Sequence, residues 1–524
     1  MTGKSRPARV LRLLLPLLGG AVTGVSLPPL GWWPLGIVGA SAAVVALDGR
    51  RPLGRLGVGM LFGVGQFFVS LAWALQFNTA GYVVLCLVEA LFFAVAAMFV
   101  PTGPGRLAAF AGAFTLAEWA REKWPFGGLP LGGVALGQLG GPLAVTARLG
   151  GSLLVAGSTF LAAGVLGTAA SLLWRRDAGA RARRVAGTLL GFVLVLGLVL
   201  WGTVAPDGSG PGPVRLLRAA LVQGGGKRGL NQLQVPPSVV FHAAVSETAK
   251  VRGAVDLVVW PEDVVALDGP LRGSAAEAEL RSIARAHGAT LVAGVTEPVG
   301  RTRFRNEVVA FSPAGRLVAT FEKVHRVPFG EYVPYRWLFK HFANLSAVPR
   351  DAIPGKGSGM IATPAGRFAV LVSYEVFFAD RGRSGVRAGG EVILVPTNTS
   401  SYQNDQAPAQ EISASRLQAI EEGRYVLQVA PTGYSAVVDQ NGDVLRQSRL
   451  SSPDVIEATV PELTGATLFE RFGELPVVVA AAGAVLVPLA LRLLLSGLAA
   501  LSPLTSFVLR RRARSRRRHS PAPR

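Results

Sequence analysis

The run Leu317-Val-Ala-Thr-Phe-Glu-Lys323-Val-His-Arg-Val-Pro-Phe-Gly-Glu331-Tyr-Val-Pro334 opens as a short apolar, β-branched strand and then places Lys323 at the strand's end. The same arrangement recurs twice. Glu262 follows Leu257-Val-Val-Trp260-Pro261, and Ser373 follows Phe368-Ala-Val-Leu-Val372. In layered α/β domains, ligands and catalytic groups collect at strand ends. A carboxylate, an ammonium and a hydroxyl brought together there would form a base, an oxyanion stabiliser and a nucleophile. Spacing alone is a weak signal, because a domain of this size offers many Glu, Lys and Ser residues.

Working outward, short apolar runs recur at Val214–Val222, Val255–Trp260, Thr290–Val295, Glu307–Phe311, Val392–Pro396 and Tyr425–Val438. Polar, helix-favouring segments lie between several of them, such as Ala275–Ala286 and Glu411–Gly423. Strands spaced by helices predict a layered α/β domain over residues 205–472, long enough to bury its own core. Asp439-Gln-Asn-Gly442 reads as a hairpin turn. Gly224-Gly-Gly226 reads as a flexible turn, and no phosphate-binding glycine loop of the usual spacing stands out. The five histidines are scattered, so no metal site and no cofactor is expected.

The flanks are of another kind. The chain of 524 residues is 50% hydrophobic and only 16% charged, where soluble domains carry about 25% charged residues. Apolar stretches near Leu11–Leu30, Trp32–Leu47, Leu56–Leu75, Tyr82–Val100, Leu107–Trp119, Leu149–Trp174, Ala186–Thr203 and Leu475–Leu498 predict about eight membrane spans. The second and fifth are short, and the Gly-rich Pro125–Gly141 stretch reads as a re-entrant or interfacial segment.

The excess of Lys and Arg over Asp and Glu, 53 against 32, would suggest nucleic acid in a soluble chain. Here the basic residues cluster beside apolar runs: Lys4, Arg6 and Arg9; Arg50, Arg51 and Arg55; Arg106; Arg175, Arg176, Arg181, Arg183 and Arg184; and the tail Arg510, Arg511, Arg512, Arg514, Arg516, Arg517 and Arg518. With eight spans every cluster falls on one side. Both termini are then cytoplasmic and the α/β insert extracytoplasmic. A cleaved first span would invert this pattern. The expected organisation is a seven-span membrane domain (1–204), the insert (205–472), a last span (473–500) and a basic cytoplasmic tail (501–524). Topology explains the basic charge without nucleic acid. Glu118 and Arg121 are placed to pair on one helix face, with Glu89 inside another apolar run. The sole cysteine, Cys86, lies in a span and reads as a packing residue.

Trp260-Pro-Glu262 resembles the base motif of the nitrilase superfamily. The Lys323–Pro334 stretch resembles the lysine motif of apolipoprotein N-acyltransferases nearly residue for residue, and Ser373-Tyr-Glu375 lies where that family carries Cys-Tyr-Glu. The layout of seven spans, a nitrilase-like domain and one final span is similar too. The resemblance implies a polytopic α-helical membrane bundle carrying an αββα nitrilase-like domain. It implies transfer of an acyl chain from a phospholipid, through an acyl-enzyme, to the α-amino group of a lipoprotein's N-terminal diacylglyceryl-cysteine. Carried over by position, Glu262 is the general base, Lys323 the oxyanion stabiliser and Ser373 the nucleophile. Glu331 supports the lysine, with Tyr374, Glu375 and Asn398 around them. The implied partners are a phospholipid donor, diacylglyceryl apolipoproteins and membrane lipid.

Two departures stand out. Serine replaces the usual cysteine, as the resemblance implies for an actinobacterial-type variant. A hydroxyl, unlike a thiol, must lose its proton to an adjacent base as it attacks. Beyond it, Asn398-Thr-Ser-Ser-Tyr402-Gln403 stands for the family's Asn-Asp-Ala-Trp-Phe-Gly, keeping the asparagine and an aromatic. Arg416, Glu421 and Arg424 match a family helix and read as a salt-bridged helix face. Besides an active transferase, a catalytically impaired scaffold for a separate polyprenol-phosphate mannose synthase fits the serine. A carbon–nitrogen hydrolase fits the α/β insert but not the spans.

Overall fold

A computed structural model describes residues 6–103, 105–173, 178–230, 234–341 and 345–494. Lys4, Arg175, Arg176 and the whole basic tail lie outside the described residues, as do the side chains of Arg6 and Arg9.

The first 204 residues fold as helices α1 (Arg6–Val25), α2 (Trp33–Ala46), α3 (Pro52–Ser70), α4 (Thr79–Met98), α5 (Arg106–Arg121), α6 (Ala147–Ser171) and α7 (Ala178–Val204). Among the described residues, five helices are long and apolar enough to cross a membrane: α3, α4, α6 with the turn before it, α7, and a final helix, Leu475–Leu494. Leu13–Val25 of α1 and Trp33–Ala46 are apolar but shorter. This is a membrane protein. Phe62, Phe67, Phe93, Phe110, Phe114 and Phe160 are fully buried where α3, α4, α5 and α6 meet. Small residues let the backbones approach: a Cβ on Gly65 would lie 2.0 Å from the Leu17 carbonyl oxygen. Cys86 packs there as expected, fully buried against the Phe67 carbonyl. Pro125–Gly141 forms mostly buried turns with one 3-10 turn, Val134–Gly137, rather than a spanning helix.

The insert holds two sheets. One contains β1 (Leu216–Gln223), β2 (Leu257–Val259), β3 (Val265–Ala266), β4 (Thr290–Val299), β5 (Arg303–Phe311), β6 (Leu317–Glu322), β7 (Asp351–Ala352) and β14 (Asp454–Pro461), with main order β14-β1-β2-β4-β5-β6. The other contains β8 (Met360–Thr363), β9 (Gly366–Val370), β10 (Val392–Pro396), β11 (Val426–Val429), β12 (Ala436–Val438) and β13 (Val444–Gln447), in the order β13-β12-β11-β10-β9-β8. The central strands, β1-β2-β4 and β9-β10-β11, are parallel. The two sheets share one core, Leu221, Val259 and Val308 meeting Val370, Leu394 and Leu427.

Helices cover the outer faces. Helices α8 (Pro237–Thr248) and α9 (Ala275–His287) bury Ala244, Leu280 and Ile283 against the first sheet. After the one-turn α10 (Arg336–Phe339), helices α11 (Ala379–Arg387) and α12 (Gln406–Glu422) bury Val386, Ile412 and Leu417 against the second. That last cluster continues without a break into the helical bundle. Each fully buried aliphatic or aromatic side chain contributes roughly 1.5–3 kcal/mol.

Two expectations need refinement. Tyr425–Val438 is two antiparallel strands, β11 and β12, because Pro431 and Gly433 sit in a turn between them. The edge strands β8, β13 and β14 went unmarked, since an edge strand needs no continuous apolar run. The Asp439–Gly442 turn joins β12 to β13 as a hairpin, with Gly442 at φ +82°.

Candidate active site

Glu262 and Lys323 emerge at the ends of β2 and β6, so their side chains meet beside the first sheet. Lys323 Nζ donates to Glu262 Oε1 at 2.8 Å and to Glu331 Oε1 at 2.7 Å. Asn306 on β5 donates its amide to the same two oxygens, at 2.8 and 3.0 Å. Burial works against the Lys323 charge, but the Glu262 and Glu331 carboxylates outweigh it and hold the ammonium above the usual lysine range. The other oxygen of Glu331 accepts from the Val327 N–H at 2.8 Å, which folds the loop after Lys323 back onto the cluster. The lysine stretch thus carries its own second carboxylate.

Glu375 ties this loop to the one holding Ser373. It accepts from the N–H groups of Val324 (2.9 Å), His325 (3.1 Å) and Val372 (2.9 Å). Burial raises its pKa against these bonds and the nearby Arg381. Ser373 begins a 3-10 turn, Ser373–Phe377, directly beyond the parallel strand β9. Its φ is +50°, a left-handed conformation that a non-glycine residue adopts at a cost of about 1 kcal/mol or more. Ser373 is half-buried, between the buried Val372 and Tyr374. Ser373 Oγ lies 3.2 Å from Thr397 Oγ1, at the end of β10, and Thr397 also bonds Glu411 of α12. Glu411 is close enough to Glu262 and Lys323 to feel both charges.

Residues 218–468 match the family model described as Carbon-nitrogen hydrolase, and residues 19–165 match Apolipoprotein N-acyltransferase N-terminal domain. The chain is 29% identical over 501 residues to the Apolipoprotein N-acyltransferase of Mycolicibacterium smegmatis, covering 90% of this chain and 83% of that one. It is 29% identical over 483 residues to the one from Allorhizobium ampelinum, covering 86% and 89%. Over most of its length the chain is thus similar to apolipoprotein N-acyltransferases. Among solved structures, an amidase of the nitrilase superfamily from Nesterenkonia AN1 is 22% identical, with a TM-score of 0.38 over 52% of this chain and 98% of that one.

The helical part reaches up to the candidate site. Tyr374 donates its hydroxyl to the Gly128 carbonyl at 2.8 Å, and Tyr332 to the Phe126 carbonyl at 3.0 Å. The Tyr402 ring stands edge-on to Trp73 (5.3 Å) and Phe77 (5.5 Å), just beyond α3. Gln406 and Gln410 of α12 accept from the N–H groups of Trp73 and Gly132. The aromatic kept at position 402 therefore joins the two parts of the molecule.

Asn398 turns its side-chain oxygen to the Ser400 N–H at 3.0 Å, shaping the loop after β10. Arg416, Glu421 and Arg424 do not make the expected salt-bridged face. Arg416 donates to the Gly442 carbonyl, Glu421 accepts from the Ser152 N–H of α6, and Arg424 lies beyond the helix end, bonding the Gly390 and Gly465 carbonyls. The group ties α12 to its surroundings because it sits in a buried layer, where backbone carbonyls and N–H groups lacking ladder partners need side-chain partners. Gly151 makes room for this contact: at φ +71° it interrupts α6, and a Cβ there would stand 2.6 Å from the Phe469 ring.

Sequence reading missed Asn306, Thr397 and Glu411. For Asn306 a signal existed. On strand β5 it shares a face with Val308 and Ala310, both in the core between the sheets, so it is a polar residue at a core position. Glu411 falls on a helix face with Ala407 and Ala414, also buried. Thr397 carried no sequence mark.

Proposed function

We propose that this chain transfers an acyl group from a phospholipid to the α-amino group of the N-terminal diacylglyceryl-cysteine of lipoproteins, through an ester on Ser373. The observation that carries the reading is the buried Glu262–Lys323–Glu331 cluster, with Lys323 at 2.8 and 2.7 Å from the two carboxylates, assembled by the motifs that resemble the family's. Ser373 Oγ would attack the phospholipid carbonyl while Glu262 takes its proton. Two N–H groups of Lys323 are engaged by carboxylates; the remaining one would meet the oxyanion. Collapse expels the lysophospholipid alkoxide, which takes the proton from Glu262. The lipoprotein amine then attacks the ester, Glu262 accepts the amine proton, and Ser373 leaves and regains a proton. Glu331 and Asn306 would keep Lys323 charged and aimed, and Glu375 would hold the two loops in register.

Placement follows the same reading. Eight spans put both termini in the cytoplasm and residues 205–472 outside it, with the spans ending at 204 and starting again at 473. A reporter fused near Gly300 should be active only outside the cytoplasm; cytoplasmic activity would overturn this topology.

The test is expression of wild type, Ser373→Ala and Ser373→Cys in a host lacking its own enzyme, followed by mass spectrometry of lipoprotein N-termini. Wild type and Ser373→Cys should acylate the amine, and Ser373→Ala should leave it free. Acylation by Ser373→Ala would remove Ser373 from the mechanism. Free amines with all three would favour the second reading, which the serine itself motivates: a scaffold for a separate polyprenol-phosphate mannose synthase.

A further inference from the structure

Thr397 has one hydroxyl proton and two partners, Ser373 Oγ and Glu411 Oε1. It can donate to only one of them, so the protonation of Glu411 decides which. If Glu411 is a carboxylate, Thr397 donates to it, and the Ser373–Thr397 hydrogen bond then forms only with Ser373 as donor, its proton turned away from a base. If Glu411 is protonated, it donates to Thr397 and Thr397 donates to Ser373 Oγ. The Ser373 proton is then free for Glu262, and the oxygen left behind receives a hydrogen bond.

We propose that Glu411, in its protonated form and through Thr397, is a positioning residue that sets the direction of the Ser373 hydroxyl. The proposal rests on the reading of Ser373 as the nucleophile. Glu411 is fit for the role. It is buried, and its second oxygen has no protein partner, an arrangement that favours the neutral acid. The ionisable groups facing it are Glu262 after β2, Lys323 after β6 and Tyr402 in the loop before α12. Burial against the Thr397 hydrogen bond, and then the Glu262 charge against that of Lys323, push its carboxyl up to about 8. The acid form thus prevails at neutral pH and is lost in mild alkali. A cysteine nucleophile, which attacks as a thiolate, would have little use for such a relay.

The test reads Ser373 directly. Full-length protein in detergent is treated with an alkyl fluorophosphonate: a Ser373 Oγ–P bond forms, fluoride leaves, and the hydroxyl proton passes to Glu262 and on to water. The adduct is followed by mass spectrometry across pH, with Ser373→Ala as the blank. The wild-type rate should fall about tenfold between about pH 7 and about pH 9. Glu411→Gln, whose amide donates at every pH, should show no such fall. Thr397→Val should lower the rate at least about tenfold at neutral pH, and Thr397→Ser should restore it. The same pH profile in wild type and Glu411→Gln would overturn the relay, as would wild-type rates in Thr397→Val or an unlabelled wild type. Labelling with the expected profile by a protein that leaves lipoprotein amines free would refute the transferase reading and keep the relay. Acylated lipoproteins with superimposed profiles would do the reverse.

Discussion

Two buried clusters in this molecule each set one cation between two carboxylates. In the helical part, Arg121 bonds Glu89 at 2.7 Å and Glu118 at 2.9 Å. In the α/β part, Lys323 bonds Glu262 at 2.8 Å and Glu331 at 2.7 Å. The difference lies in what surrounds them. Arg121 also donates to the Pro130 and Leu131 carbonyls and lies over the Phe67 ring at 4.8 Å, so its planar fork is spent on protein groups. Its side chain is wholly buried, and those of both carboxylates are 1% exposed. Lys323 keeps an N–H beyond its two carboxylates, and the Glu331 side chain is 15% exposed, so this cluster opens on one side. Charge count does not mark a reactive centre. The proposed function instead uses a donor held in reserve, an open side and the Ser373 hydroxyl beyond a strand of the second sheet.

Breaking each cation should separate the two roles. Lys323→Met should lower N-acylation by about 10³-fold, the upper range for losing an oxyanion donor, while the protein still purifies as a folded monodisperse species in detergent. Its two carboxyls can share a proton, which limits the structural damage. An activity loss of less than about tenfold would make Lys323 a structural cation like Arg121.

Arg121→Met should invert the pattern. Removing one partner of a buried ion pair costs about 3–5 kcal/mol, read as a lowered melting temperature in detergent, with turnover per folded molecule much less affected. A fall in turnover matching that of Lys323→Met, without a change in melting, would erase the distinction.

A finer cut is Glu331→Gln. The amide keeps the shape and can still accept from Val327, but removes one of the two charges that hold the Lys323 pKa up. N-acylation should fall about 10- to 100-fold, in kcat rather than KM, because the change weakens stabilisation of the transition state and not substrate binding. A pure KM effect would move Glu331 to the substrate side of the site.

How much of this was legible in the sequence differs between the two clusters. Both were marked by residue type: Glu118 and Arg121 by helical spacing inside apolar runs, Glu262, Lys323 and Ser373 by their places at strand ends. What spacing could not carry was the member brought from elsewhere. Glu89 reaches Arg121 from a different helix, and Asn306 reaches Glu262 and Glu331 from a different strand. The fold class was readable because the central parallel strands are continuous apolar runs. The edge strands and the seam between the parts were not. That seam is made of side chains meeting backbone groups, as in Tyr374 with the Gly128 carbonyl and Glu421 with the Ser152 N–H, and a backbone partner leaves no trace in residue identity.

The smallest effect tests that seam. Tyr374 sits next to Ser373, yet its hydroxyl points at the Gly128 carbonyl, in the loop whose Pro130 and Leu131 carbonyls Arg121 holds. One strap of backbone thus joins the two clusters. Tyr374→Phe keeps the buried ring and its edge-on contact with Phe378 at 5.1 Å but strips the carbonyl of its donor. The cost of a buried acceptor left without a partner is about 1–3 kcal/mol. If the strap only fastens the parts together, that cost appears as a lower melting temperature, and the fluorophosphonate reactivity of Ser373 stays within about twofold of wild type. If the strap also sets the Ser373 turn, reactivity falls with stability, and Arg121→Met should reproduce the fall, because it loosens the same loop from the other end. A loss of reactivity in Tyr374→Phe that Arg121→Met does not share would mean that the hydroxyl acts on the site itself, and the division between a structural and a reactive cluster would then run through Tyr374.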